Sequence, residues 1–200
     1  MTTAAAIILS GGASSRMGSP KALLTAPDGQ TFADRLVSLF RPHCDQVIVV
    51  TGFHARAIQA GMRNHARIIV NPQPERGQLT SLQAGFAALD PMPDLVFFTP
   101  VDYPSIAAET IAALLAEAAR HPDAAAIVPE FEGHHGHPVL LSARLVNEIL
   151  ALPVQESARS VIHRHVPETR YVQVNDPGVL RDIDYPADYQ ALLETEAVRR

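Results

Sequence analysis

The strongest constraint on this chain is an alternation. Short apolar or β-branched runs recur along it, and between them lie segments whose apolar residues repeat every three or four positions. A short apolar run bounded by Gly, Pro or Asn has the length of a buried strand, and the three-and-four spacing is one face of a helix. Strands are expected at 4–9 (AAAIIL), 46–51 (QVIVVT), 66–70 (ARIIV), 94–99 (DLVFFT), 124–129 (AAAIVP) and 170–174. Helices are expected at 31–40, 55–62, 79–89, 105–120, 143–151, 156–164 and 187–196, with a His-rich turn at 133–137 and a short apolar segment at 138–142 (PVLLS). Ser105 is placed to cap the helix that follows it. The Asn-Pro-Gln-Pro of 71–74 stops the third strand and Pro100 the fourth. Strands joined through helices build a largely parallel sheet covered on both faces, an α/β fold.

A chain of 200 residues suits one domain, spanning 1–200. Apolar residues make up 47% and charged residues 18%, which supports a full core rather than disorder. The net charge of −5 argues against a nucleic-acid partner. Cys44 is the single cysteine, so no intrachain disulfide or Cys-ligated metal centre is expected. No run approaches the ~20 apolar residues of a membrane span, and the N-terminus lacks a charged leader. The expected location is cytoplasmic, with no membrane partner.

In parallel sheets, ligands bind beyond the C-terminal ends of the strands. The segment LSGGASSRMGSPKALL (9–24) lies there, directly after the first strand. Gly11 and Gly12 are expected to turn the backbone sharply and bring it close to a ligand. N–H groups exposed in such a turn form an anion-binding concavity. Arg16 can fork onto phosphate oxygens, and Lys21 adds a mobile charge. The residues point to a polyphosphate site, although Gly-Gly alone also suits an ordinary βα turn with surface charges. Ser-Pro precedes the lysine where a P-loop would place glycine, and no G-x-G-x-x-G is present.

As a whole, L-x-G-G-x-S-x-R-M-G-x-P-K-x-L-L (9–24) resembles the first motif of MobA-like nucleotidyltransferases. RGQLTSLQAGF (76–86) and PVDYP (100–104) resemble that family's later motifs. GHPVLL (136–141) and DIDYPADY (182–189) are similar to segments of its molybdenum cofactor cytidylyltransferase branch. Ser10-Gly11-Gly12 departs from that branch, where Ala-Ala-Gly is usual, and is commoner in the guanylyltransferases. The resemblance implies a Rossmann-like fold of the glycosyltransferase-A type. It implies transfer of CMP from CTP to a molybdopterin-type phosphorylated cofactor, with pyrophosphate leaving. The alternatives are GTP as donor, or a nucleotide-binding accessory protein without turnover. By the same resemblance, Leu9, Ser10, Gly11, Gly12, Arg16, Lys21, Gly77 and Ser81 bind the nucleotide, with Arg16, Lys21 and Asp102 catalytic. Gly136, His137 and Pro138 face the acceptor. Mg²⁺ is the implied cofactor, and a molybdoenzyme or its chaperone an implied partner.

A phosphate monoester is largely ionised at neutral pH, so the nucleophile needs no general base. The barrier is an anion attacking an anion, and catalysis reduces to positioning and charge neutralisation. Asp102 follows a strand end, where it can hold Mg²⁺ or simply cap a helix. Asp184 is the expected second carboxylate, ahead of Asp182; both can also cap the last helix. Gly77 permits close approach and Ser81 can bond a pyrimidine edge, although Thr80 or Ser81 also suits a helix cap. His134, His135 and His137 have no zinc-site spacing. His137 is expected to donate to the acceptor phosphate, more strongly when protonated.

Overall fold

The computed structural model describes residues 2–197. Eight strands form one sheet: β1 (Ala4–Ser10), β2 (Gln46–Thr51), β3 (Arg67–Val70), β4 (Leu95–Pro100), β5 (Ala126–Phe131), β6 (His134–His135), β7 (Val139–Ser142) and β8 (Thr169–Gln173). Their order is β3-β2-β1-β4-β7-β5, with β8 also on β5 and β6 extending the hairpin partner of β5. The pairs β1–β2, β2–β3, β1–β4 and β5–β8 are parallel, and β7 runs antiparallel between β4 and β5. Among the described residues there are seven α-helices: α1 (Phe32–Phe40), α2 (Ala55–Gly61), α3 (Gln78–Ala87), α4 (Ala108–Arg120), α5 (Ala143–Leu150), α6 (Ala158–Arg164) and α7 (Pro186–Ala197).

Every residue of β1 is buried, which is why its sequence shows no polar alternation. Ala6 and Ile8 face Phe32, Leu36 and Phe40 of α1 and Ile111 and Leu114 of α4. Ala5, Ile7 and Leu9 face Leu82 and Phe86 of α3 and Leu145, Val146 and Ile149 of α5. α3 lies so close that a Cβ on Gly85 would come within 2.7 Å of Ile7 and 2.8 Å of Val50. The expected mostly parallel sheet with helices on both faces is therefore the observed one.

Local departures have local causes. The His-rich stretch is only partly a turn. Glu132 (φ 49°) and Gly133 (φ 78°) form a two-residue hairpin loop, and His134 and His135 already pair with Phe131 and Glu130. The segment at 138–142 continues as β7, with the register shifted by two residues across 136–138. The capping role expected of Ser105 is corrected: α4 starts three residues later, and the Ser105 hydroxyl donates to Glu196. Asp176 serves that helix instead, accepting from Ala107 N at 2.8 Å and Thr110 Oγ1 at 2.7 Å. Thr31 is the N-cap of α1 rather than its first residue.

Candidate active site

β1 is followed by β2 on one side, and β4 lies on its other side, so the chain reverses direction across the sheet at the β1 end. Ligands bind at such a switch point. A cavity of about 390 Å³ opens there, beyond Leu9 and Pro100. Leu9, Ser10, Gly11, Gly12, Arg16, Lys21, Gly77, Ser81, Asp102 and Asp184 all line it, joined by Ser14, Ser15, Pro74, Gln78 and Val101.

The role expected of the glycine pair is corrected in part. Neither Gly11 nor Gly12 has a positive φ; Ser14 (φ 50°) and Gly18 (φ 67°) make the left-handed turns. Gly11 is required by packing instead, because a Cβ there would meet Ser81 Oγ at 2.6 Å. Gly12 has no atom within 4 Å of its Cβ position, so its outer side is free for a ligand. His54 holds the loop by an Nε2 contact of 2.8 Å to the Ala13 carbonyl. Ser14 Oγ accepts from Lys21 N at 3.2 Å, folding the end of the loop back on its middle.

Across the cavity, Gly77 adopts φ 100° and ψ −179°, a conformation open essentially to glycine alone. It is the N-cap of α3 and offers no side-chain acceptor. The Thr80 hydroxyl donates to the Gly77 carbonyl, so neither Thr80 nor Ser81 caps the helix. The first N–H groups of α3 therefore stay available on the cavity side, where helix geometry favours an anion. Ser81 Oγ is held by Asn71 Nδ2 at 3.0 Å, and the buried Asn71 also bonds Thr80 Oγ1 at 2.9 Å. In the sequence, Asn71 is marked only as part of a strand stop. Its place at the C-terminal end of β3 was the available signal.

The charged groups form one network. Lys21 Nζ lies 2.8 Å from Asp102 Oδ2 and 2.5 Å from Asp184 Oδ1. Arg16 Nη1 reaches Asp184 Oδ2 at 3.0 Å and stands 5.2 Å from the Tyr185 ring centre. Burial works to lower the Lys21 pKa, but its bonds to Asp102 and Asp184 outweigh this and raise it. The Lys21 hydrogen bond, with the Lys21 and Arg16 charges, holds Asp184 below the usual carboxylate range against the opposing effect of burial. Asp184 reaches the cavity because Ile183 N bonds the Asp102 carbonyl at 2.9 Å, which brings the 182–184 stretch across the end of β4. Ile183 is buried, Asp182 is exposed and lines no part of the cavity, and Asp188 caps α7 by accepting from Asp184 N and Tyr185 N.

A second cavity, of about 820 Å³, shares Gly77 and Gln78 with the first. Gly136 and His137 line it, whereas Pro138 is buried behind them and lines neither. Glycine at 136 is dictated by the 177–179 turn, since a Cβ there would sit 2.2 Å from the Val179 carbonyl oxygen. The His137 ring packs on Tyr103 at 4.8 Å and Phe98 at 5.6 Å, and its Nδ1 is buried without a partner. Burial pushes its pKa down to about 4, so the pH range in which protonation would strengthen its expected donation moves from below 6.5 to below about 4.

Residues 6–169 match the MobA-like NTP transferase domain. The chain belongs to the MobA-like NTP transferase family. It is similar to the molybdenum cofactor cytidylyltransferase of Escherichia coli (strain K12), with 26% identity over 185 residues and 92% of each chain covered. The probable molybdenum cofactor guanylyltransferase of Rhodopirellula baltica is also 26% identical, over 192 residues covering 91% of this chain and 88% of that one. The crystal structure of the Mycobacterium tuberculosis protein Rv0371C in complex with manganese aligns with a TM-score of 0.78, at 25% identity, over 96% of this chain and 98% of that one. This MobA-like chain is thus a nucleotidyltransferase by family. No helix of its described residues is long and apolar enough to cross a membrane.

The MobA-like site also has a donor set suited to a divalent cation. Asp102 Oδ1 is buried with no hydrogen-bond partner, and Asp184 lies across Lys21 from it. Among the described residues no group of three or more His, Cys, Asp or Glu side chains gathers to hold a metal. Two carboxylates completed by phosphate and water oxygens are the arrangement Mg²⁺ accepts.

Proposed function

We propose that the chain transfers CMP from CTP to the terminal phosphate of a molybdopterin-type acceptor and releases pyrophosphate. The observation that carries this reading is the convergence, at one cavity, of the glycine loop, Arg16, Lys21 and two carboxylates, with a second cavity adjoining across Gly77 and Gln78. In this reading the open side of Gly12 and the uncapped end of α3 receive the triphosphate. Arg16 and Lys21 offset its charge, and Gln78 and Ser81 meet the base edge. The acceptor lies in the second cavity, against Gly136 and His137, and its ionised phosphate attacks the α-phosphorus without a protein base. Asp102 and Asp184 are the residues that would hold Mg²⁺, which when bound supplies positive charge against the triphosphate. The domain is read as one unit over 1–200.

The cytidylyl choice rests on the GHPVLL and DIDYPADY segments and on the Escherichia coli relative. Gly11-Gly12 and the Rhodopirellula baltica relative favour the second reading, with GTP as donor. Competition between CTP and GTP in one assay, read by pyrophosphate release with acceptor present, separates the two. Buried polar groups left unpaired by the wrong base make the expected discrimination large. A preference for GTP moves the chain to the guanylyltransferases. No release with either triphosphate removes the transferase reading.

A further inference from the structure

The second cavity has features that the reaction above does not use. His135 and Tyr171 are carried by β6 and β8, on opposite sides of β5, and they meet over it with ring centres 4.0 Å apart and planes 13° from parallel. His135 Nε2 lies 3.1 Å from Glu130 Oε2, which fixes the imidazole edge. Both residues line the cavity rim, and Tyr171 is still 40% exposed. A solvent-facing aromatic pair of this kind has a free π-face and a fixed tilt.

The rest of the cavity matches a flat ligand that carries an anion. Its floor is apolar, with Leu82, Phe98, Val128 and Val139. Arg76 and Arg159 line it, and neither makes an ion pair among the described residues, in a protein whose net charge is −5. The buried His137 Nδ1 has no hydrogen-bond partner among the described residues. A flat nitrogen heterocycle supplies polar edge groups and a stacking face together.

We propose that the His135–Tyr171 pair is the stacking platform for the pterin ring of the acceptor, so that these two residues set acceptor specificity while the phosphate end of the acceptor points across Gly77 and Gln78 toward Asp102. This assignment rests on the acceptor reading above. It places acceptor recognition where β6 and β8 flank β5, apart from the loop that holds the nucleotide. The stacked pair contributes to acceptor affinity alone.

The test uses 6-hydroxymethylpterin as a fluorescent probe, titrated into the full chain without nucleotide. CTP affinity is measured separately by calorimetry. Tyr171→Ala should weaken probe binding about tenfold, the scale of losing one aromatic stacking partner. Tyr171→Phe should retain binding, and CTP affinity should be unchanged in both. His135→Gln, on the other strand, should weaken the probe as well, and it keeps the test open if Tyr171→Ala melts early. With the true acceptor, KM should rise and kcat should stay. Probe affinity unaltered in Tyr171→Ala and His135→Gln, a parallel loss of CTP affinity, or no probe binding by the wild type would each overturn the platform. Tyr171-dependent probe binding without pyrophosphate release would retain the platform and sink only the transfer reading. An unchanged acceptor KM in Tyr171→Ala, with normal kcat, would retain transfer and sink only the platform.

Discussion

Lys21 Nζ lies 2.8 Å from Asp102 Oδ2, although 81 positions separate the two residues. The same ammonium contacts Asp184, so one lysine sits between the two carboxylates suited to hold a divalent cation. A cation and this lysine therefore compete for the same pair of carboxylates. Lys21→Met should bind Mn²⁺ more tightly than the wild type in the absence of nucleotide, because the competing charge is gone. It should bind triphosphate more weakly, by roughly tenfold or more, through loss of a charge-assisted contact. Calorimetric titration of each ligand alone reads the two signs. Weaker Mn²⁺ binding in the variant would refute the competition.

The two loop glycines should respond differently to the same change. Gly11→Ala puts a methyl group 2.6 Å from Ser81 Oγ and forces Ser81 off Asn71. Overpacking of this kind costs about 1–3 kcal/mol, so the melting temperature should fall. Gly12→Ala meets nothing within 4 Å and should melt like the wild type. It should nonetheless lose triphosphate affinity, because the methyl group occupies the side from which phosphate approaches. Thermal melts with and without CTP compare the pair, and equal melting of the two variants would contradict the packing argument.

His137 gives a signed pH dependence. Burial lowers its pKa from 6.5 to about 4, so the folded state releases its proton more readily than the unfolded chain. The stability tied to this group is complete above pH 6.5 and declines as the pH falls toward 4, by up to about 3 kcal/mol. His137→Asn should flatten that part of the stability-versus-pH curve, whatever its effect at neutral pH. Denaturant melts at intervals from pH 7 to 4 measure the slope. A slope unchanged by the substitution would place the titrating group elsewhere.

Asp176 holds α4 from 66 residues beyond Thr110. It accepts from Ala107 N, Thr110 Oγ1 and Gly178 N, and only 6% of it is exposed. Asp176→Ala leaves these donors unpaired in a buried place and should cost about 2–4 kcal/mol. Ser105→Ala, at the position that sequence pattern favours for the cap, should cost far less. Chemical denaturation of both variants decides between them.

The sequence by itself determined the layering of this protein. Continuous apolar strands such as AAAIIL can be satisfied only between two helical layers, and the alternation of periods fixed where those layers arise. It also determined which residues meet at the first cavity: the glycine loop, its cations and the strand-end aspartate were all legible in local pattern and family motif, and all line it. Tertiary structure decided what depends on approach between distant segments. β7 lies antiparallel because Glu132 and Gly133 both adopt positive φ, which the apolar pattern of PVLLS does not record. Asp184 rather than Asp182 enters the site because the Ile183 N–H bond to the Asp102 carbonyl brings this stretch to the end of β4, where Lys21 and Arg16 hold the Asp184 carboxylate. Asn71, His54 and Asp176 act through Ser81, Ala13 and Thr110, each 10 or more residues away, and the stack of His135 on Tyr171 forms only because β6 and β8 flank the same strand. Periodicity reports which face of an element is buried, whereas these contacts depend on which elements the fold places side by side.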